Sequence, residues 1–194
     1  MIKANKTDKK LVIDILTNSF DDNKSINYLI NNDKNRIERI NALMAYSFDI
    51  CFMFGEVYLS ENKLACALVL HPEKKKISLF AIWADIKLVF QSIKIYNVGK
   101  AMARESRIKM HYPKHSYYYL WFLGVQKEAQ NKGTGSKLLN DIIQESLYLN
   151  KPIYLETSTI KNIPWYSKFN FVIYNEIDLG YKLFMLKRGS IPML

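Results

Sequence analysis

Two glycines in alternate positions stand between a strand-like and a helix-like segment near residue 130. The sequence from 123 to 136 reads LGVQKEAQNKGTGS, an apolar strand end, a polar turn and the start of an amphipathic helix. A helix N-terminus has four N–H groups without intrahelical partners, and its dipole favours an anion there. Glycines at 133 and 135 would let the backbone approach phosphate oxygens. The pattern predicts a phosphate-binding turn; a turn that only caps the helix is the alternative.

Two common phosphate motifs do not fit this spacing. A P-loop requires Gly-x-x-x-x-Gly-Lys-Ser/Thr, whereas Gly135 is followed by Ser136 and Lys137 by Leu138. The dinucleotide fingerprint requires a third glycine at the position of Leu138 and a parallel βαβ unit. Neither of these nucleotide-binding classes is therefore expected.

The turn and its flanking strands resemble one known family. Gln130-x-x-Gly133-x-Gly135 resembles the pyrophosphate loop, Arg/Gln-x-x-Gly-x-Gly/Ala, of the GNAT superfamily of N-acetyltransferases. YLWFLGV at 119–125 resembles the family's fourth strand, which pairs with the pantetheine arm, and YLETS at 154–158 resembles its fifth. The resemblance implies an α/β (α+β) fold: a mixed, mostly antiparallel central sheet flanked by helices, with splayed fourth and fifth strands.

A fourth element of the resemblance lies near the C-terminus. NIPWYSKFNF at 162–171 resembles the family's Asn-x-x-x-Tyr-x-x-x-Gly-Phe segment. Asn170 replaces the usual glycine, but Asn tolerates a left-handed backbone better than most residues, so the turn is expected to persist. Tyr119 stands where some members carry a catalytic glutamate. The four elements cover Tyr117 to Arg188, and the first half of the chain has no recognisable motif.

The resemblance implies transfer of an acetyl group from acetyl-CoA to an amine by direct attack in a ternary complex, without a metal. The second half is similar to small-molecule acetyltransferases of the puromycin-modifying type, and a peptide amine is the other possible acceptor. The implied acetyl-CoA contacts are Leu123, Gly124, Val125, Gln130, Asn131, Lys132, Gly133, Thr134, Gly135, Ser136, Asn162 and Lys168. The amides of Leu123 and Val125 are expected to be free for the pantetheine.

Amine chemistry at neutral pH requires a way to remove a proton. A lysine-like amine with a pKa of about 10.4 is nucleophilic in roughly one molecule per thousand, a cost of about 4 kcal/mol. Glu156 is the best carboxylate candidate for the base, although a structural role is equally open, and His111 and His115 are alternatives. Tyr166 matches the family's tyrosine that protonates the departing thiolate. Because phenol is a weaker acid than a thiol, hydrogen-bond donation is expected rather than early proton transfer.

Composition sets the wider expectations. The 194 residues suit a single GNAT-like domain over 1–194. Cys51 and Cys66 lie in apolar runs and are expected to be buried thiols in a reducing cytoplasm. No apolar run reaches the ~18 residues needed for a membrane span, so we expect no membrane partner. The formal charge of +10 leaves a basic nucleic-acid-binding protein as one alternative, and a CoA-binding sensor or scaffold without catalysis as another. A monomer or homodimer is expected.

Hydrophobic periodicity predicts the elements that position these residues. Helices are expected first, then a hairpin, a long helical stretch broken near 97–99, and alternating strands and helices. Thr7 is expected to cap the first helix. The expected helices are Thr7–Phe20, Arg36–Phe48, Ile77–Met110, Gly135–Leu149 and Ile163–Lys168, and the expected strands are Phe52–Leu59, Lys63–His71, Tyr117–Val125, Ile153–Thr157, Phe171–Ile177 and Leu183–Lys187.

Overall fold

The structure is a computed structural model that describes residues 1–93 and 95–189. Its strands are β1 (Ile2–Lys3), β2 (Gly55–Leu59), β3 (Ala65–Leu70), β4 (Tyr118–Val125), β5 (Ile153–Thr157), β6 (Val172–Asp178) and β7 (Lys182–Arg188). Its α-helices are α1 (Lys9–Phe20), α2 (Lys24–Leu29), α3 (Arg36–Phe54), α4 (Leu79–Leu88), α5 (Val98–Lys109), α6 (Thr134–Tyr148) and α7 (Ile163–Ser167). The strands form one sheet in the order β1-β2-β3-β4-β5-β7-β6.

The sheet is antiparallel except at its centre, where β4 and β5 run parallel. These two strands pair at only two positions, Tyr118 with Ile153 and Tyr119 with Tyr154. The ladder between β3 and β4 is irregular at Trp121, and such bulges bend a strand. β4 and β5 therefore separate after Tyr119. This confirms the expected mixed sheet with splayed fourth and fifth strands.

Helices cover both faces of the sheet, so the inner strand β3 is apolar on both sides. All six residues of β3 are buried. Cys66 and Leu68 face α1 and α3 in one core cluster, whereas Ala67 and Val69 face α6 in another. This alternation puts the side chains of Tyr118 and Leu120 with α6. Tyr119 and Trp121 pack instead on the α1–α3 side, so the two faces of β4 meet different surroundings.

The second long helix extends further than the sequence analysis predicts. The expected helix ends at Phe48 and the expected strand begins at Phe52, whereas α3 continues to Phe54 and β2 begins at Gly55. The segment ICFMF is rich in strand-favouring residues, but its buried positions, Cys51 and Phe54, continue the helical spacing of the preceding turns. Packing against the core therefore decides the conformation, and the predicted boundaries are wrong here.

The N-terminus also differs from the expectation. Asn5, rather than Thr7, is the cap: its side chain accepts from the Thr7 N–H, and the Asn5 N–H donates to the Asp8 carboxylate. A 3₁₀ turn, Lys6–Asp8, precedes α1. The short edge strand β1, which pairs with β2, was not predicted because two residues carry no periodic signal.

The helical stretch between β3 and β4 breaks earlier than predicted. α4 passes into a π-helical turn, Val89–Ile93, and a 3₁₀ turn, Ile95–Asn97, leads into α5. Residue 94, within the expected helix, lies outside the described residues. Among the helices of the described ranges, none has the length and apolar character needed to cross a bilayer.

His71, at the end of β3, makes the fold sensitive to acid. Its side chain is 2% exposed and its ring lies 4.8 Å from that of Tyr118. Burial, with the nearby positive charges of Lys74 and Lys151, lowers the pKa of His71 to about 4. The unfolded chain then binds more protons between about pH 6.5 and 4, so stability present above pH 6.5 is lost as the pH falls through this window.

We expect the free energy of unfolding to fall by about 2 kcal/mol between pH 7 and 4.5 through this group. Urea titrations of wild type and His71→Asn at both pH values measure the effect. The variant should have the smaller pH dependence, and equal pH dependence in the two proteins would contradict the assignment to His71.

Candidate functional site

The turn between β4 and α6 presents a run of unpaired main-chain donors. The Gln130 amide closes a 3₁₀ turn on the Lys127 carbonyl at 3.3 Å. Asn131 and Gly133 then adopt left-handed conformations, with φ of 59° and 82°. In the described part of the chain, the amides of residues 131–136 donate no hydrogen bond of normal geometry, and no side chain caps α6. The site therefore has six successive N–H donors at a helix N-terminus.

Close packing places the start of α6 against the end of β4. A Cβ atom at Gly135 would lie 2.9 Å from Val125 Cγ2, so a larger side chain there requires the Val125 side chain or its surroundings to shift. A Cβ at Gly133 would meet no atom within 4 Å, and there the left-handed φ is the reason for glycine. The Trp165 indole donates to Ser136 Oγ at 3.0 Å and ties α7 to the same turn.

Beyond Tyr119, the side of β4 that is turned toward β5 faces a gap between the two strands. The Gln126 amide donates to the Leu64 carbonyl on the β3 side at 2.8 Å. Because antiparallel partners alternate along a strand, Gly124 and Phe122 also bond toward β3. The amides of Leu123 and Val125 then point toward the gap, which is the direction that the sequence analysis expects.

Only part of this edge is free, which corrects the expectation that both amides lack partners. The Val125 amide donates to Ser19 Oγ at 3.2 Å, and the Gln130 side-chain amide donates to the Val125 carbonyl at 3.1 Å. Ser19 reaches the strand because Gly124 has no side chain: a Cβ there would lie 3.0 Å from both Ser19 Oγ and Leu16 Cδ2. Sequence reasoning missed Ser19, since nothing local links it to a strand 106 residues away.

Tyr166 lies in α7, on the α6 side of the sheet. Its side chain is 9% exposed and its ring contacts those of Trp165 and Phe171. Burial raises the pKa of the Tyr166 phenol. Among the described residues its hydroxyl has no hydrogen-bond partner, and it is not sealed from solvent as the Tyr58 hydroxyl is. The phenol is thus held by packing while its hydroxyl remains available.

Other residues of the fourth element surround this helix. Asn162 precedes α7, is half-buried and makes no side-chain cap bond. Lys168 is exposed at the opposite end. Asn170 has φ of 60°, so it takes the left-handed conformation that glycine supplies in the family. The predicted turn is therefore present despite the substitution.

Glu156 forms the centre of a tyrosine cluster on the α1–α3 side. Its two carboxylate oxygens accept from the hydroxyls of Tyr112 at 2.6 Å and Tyr119 at 2.8 Å. Removal of water from this half-buried side chain raises the pKa of Glu156, while Tyr112, Arg104 and Tyr119 oppose the rise. Arg104 donates to the Tyr181 hydroxyl at 3.1 Å. The carboxylate is thus oriented by two donors in a partly dehydrated setting.

The cluster distinguishes among the candidate bases. His111 is exposed, and no interaction that involves its ring is found in the described ranges. His115 Nε2 is enclosed without a hydrogen-bond partner there. Sequence reasoning missed Tyr112 and Arg104, because the bonds Tyr112–Glu156 and Arg104–Tyr181 join positions 44 and 77 residues apart.

Comparison with known proteins identifies the fold. No protein-family model matches the chain. A Corynebacterium glutamicum structure titled histone acetyltransferase HPA2 and related acetyltransferase is similar over 100% of this chain and 97% of its own, with 20% identity and a TM-score of 0.73. Arylalkylamine N-acetyltransferase 2 of Aedes aegypti is similar over 97% of both chains, with 13% identity and a TM-score of 0.65.

A third structure carries the family name. A putative acetyltransferase of the GNAT family from Desulfovibrio desulfuricans is similar over 95% of this chain and 94% of its own, with 11% identity and a TM-score of 0.53. The order of strands, the parallel pair at the centre and the separation of β4 from β5 agree with this likeness. The chain therefore has the fold of the GNAT N-acetyltransferases.

Proposed function

We propose that this chain transfers an acetyl group from acetyl-CoA to a primary amine of a small molecule or peptide. The observation that supports this most is the run of unpaired amides at 131–136, beside a strand edge that no neighbouring strand covers. A polyanion with an extended amide-bearing arm fits both features. The fold, shared with structures named as acetyltransferases, agrees with the proposal.

The turn suits the diphosphate of the coenzyme. Six N–H donors at a helix N-terminus match a group with two negative charges, and each charge-assisted bond contributes roughly 1.5–3 kcal/mol. Gly133 leaves the approach open, since no atom lies within 4 Å of the position a Cβ would take. Gln130 contributes indirectly: its side chain holds the Val125 carbonyl and so fixes the turn to β4.

The gap beside β4 suits the pantetheine arm. The Leu123 amide faces this gap, and the Val125 amide becomes available once the Ser19 hydroxyl rotates away. On the other side of the gap, Asn162 offers a side-chain amide without a cap bond, and Lys168 offers a charge at the exposed end. Bound acetyl-CoA supplies the thioester carbon that the amine attacks.

Glu156 is suited to accept the proton of the incoming amine. General bases work best when their pKa lies near the operating pH, and the pKa of Glu156 is displaced upward in that direction. Its bond to Tyr119 joins the carboxylate to the position where some GNAT members carry a glutamate. Glu156 on β5 thus takes the role of a glutamate at position 119 of β4. The Tyr119 hydroxyl connects the two positions and can also relay the proton.

Tyr166 is suited to stabilise the leaving sulfur. The phenol is protonated at neutral pH, and burial raises its pKa further from that range. Its hydroxyl has no partner in the described part of the protein, so it can donate to a thiolate without breaking another bond. Donation of a hydrogen bond is favoured over early proton transfer, because the phenol is the weaker acid.

The first prediction tests the coenzyme site with a matched pair of glycines. Gly133 and Gly180 both have φ of 82°, and at each no atom lies within 4 Å of the position a Cβ would take, so valine imposes similar strain at both. We expect Gly133→Val to weaken acetyl-CoA binding at least tenfold by calorimetry, because the amides turn away from the diphosphate. Gly180→Val should bind as wild type. Unchanged affinity in Gly133→Val would contradict the proposed diphosphate site.

The second prediction separates catalysis from binding. Tyr166→Phe should lower kcat by ten- to a hundredfold at saturating acetyl-CoA, because the sulfur loses its donor, while calorimetric affinity for CoA stays within about twofold. Thiol release with a panel of amines measures kcat. Tyr58→Phe, another buried phenol, is the control and should retain the wild-type rate. A protein that only holds the coenzyme would release no thiol with any amine.

The third prediction concerns pH. The acidic limb of the kcat/KM profile should lie above pH 4.5, because the deprotonated form of Glu156 is the active one and its pKa is raised. Glu156→Gln should lower the rate at pH 7 and remove this limb, whereas His115→Gln should keep it. Loss of the limb in His115→Gln with retention in Glu156→Gln would assign the base to the histidine.

A further inference from the structure

The outward face of α4 and the turn after it is an apolar surface that no described residue covers. Its inward residues, Ala81 and Ala84, are buried against α3, and Asp85 accepts from the Tyr46 hydroxyl at 2.7 Å. The outward side chains are between 46% and 93% exposed: Ile77, Leu79, Phe80, Ile82, Trp83, Ile86 and Phe90. We call these seven residues the α4 stripe. Scattered exposed apolar residues are ordinary, but a contiguous group of this kind marks an interaction site.

Positive charge borders the α4 stripe. Lys74, Lys75 and Lys76 directly precede it and are exposed, and within the described ranges none of them forms an ion pair. Lys87 lies within the same helix, with its ammonium 5.1 Å from the Trp83 ring centre. The one acidic residue of α4, Asp85, is already bonded to Tyr46. The surface is therefore apolar and aromatic at its centre and cationic at its border.

We propose that the α4 stripe docks on the surface of an anionic lipid bilayer. A helix with apolar and aromatic residues on one side and lysines beside them inserts its apolar face at the boundary between headgroups and acyl chains. Each lysine near an anionic surface adds to the attraction. Such a helix lies in the interface and does not need the length of a membrane span. The sequence analysis expects no membrane partner because no segment is long enough to span a bilayer, and that criterion does not apply to a helix that lies in the interface.

Charge argues against the other occupants of this surface. Two copies of the chain that met through the α4 stripe would bring Lys74–Lys76 and Lys87 of each close to the other's, and like charges repel. A nucleic acid would use the lysines and could stack bases on the aromatic rings, but it would leave the four exposed aliphatic side chains without a partner. An anionic bilayer complements both the apolar centre and the cationic border.

Vesicle co-sedimentation of the full chain tests the proposal. We expect at least tenfold stronger partition to vesicles of about half phosphatidylglycerol than to pure phosphatidylcholine, with the difference reduced by salt. Trp83→Ser/Phe90→Ser should lose the binding because the inserted side chains are gone. Lys75→Glu/Lys76→Glu should lose the preference for anionic lipid. Since all four side chains are exposed, the variants should fold, which circular dichroism checks.

A matched control removes apolar side chains elsewhere. Tyr148→Ser/Ile160→Ser alters residues that are 88% and 60% exposed but lie outside the α4 stripe, and it should bind vesicles as wild type. Equal partition to both vesicle types, or loss of binding in this control, would overturn the proposal. So would a dimer, seen by analytical ultracentrifugation, that Trp83→Ser/Phe90→Ser dissociates, because the stripe would then belong to a second copy. Acetyl-transfer rates of these variants, measured without vesicles, show whether the proposed activity is present independently of membrane docking.

Discussion

The separation of β4 from β5 after two paired positions is the constraint on which the site depends. A continuous parallel ladder would satisfy every amide of β4 and leave no edge for a ligand. An unpaired buried amide costs about 1–3 kcal/mol, so the fold must satisfy this edge in another way. At Val125 it does so with the Ser19 hydroxyl. A side-chain partner satisfies this amide without adding a strand that would close the gap.

Glycine makes that arrangement possible at two points on opposite faces of the sheet. Gly124 admits α1, so that Ser19 reaches the strand, and Gly135 admits α6, whose first turn meets Val125. A Cβ atom at either position would crowd the facing side chains, which would have to shift. The ends of two helices therefore converge on one strand end, with α1 supplying a hydroxyl and α6 supplying free amides. The spacing of glycines in the sequence indicates only part of this arrangement of α1 and α6 around the end of β4.

The sequence predicts those parts of the site whose signals are local. The turn at 130–136, the strands beside it and the left-handed Asn170 follow from residue types a few positions apart, and the structure has the predicted conformations. The tyrosine hydroxyls on Glu156 and the Ser19 bond could not be predicted, because they join residues 37 to 106 positions apart. The predicted end of α3 is wrong because the strand-favouring residues there are helical and pack into the core.

Not all of the net charge of +10 is available to bind anions, because some lysines form ion pairs and others do not. Many lysines are paired: Lys137, in the first turn of α6, lies 2.7 Å from Glu61, and Lys63 lies 2.9 Å from Asp8. In the proposed diphosphate site at 131–136, oriented amides select a shape and are less sensitive to salt than ammonium groups. The lysines before α4 are exposed and form no ion pair among the described residues, which suits a diffuse anionic surface. Under the two proposals, backbone geometry binds a defined diphosphate, and unpaired lysines bind an extended anionic surface.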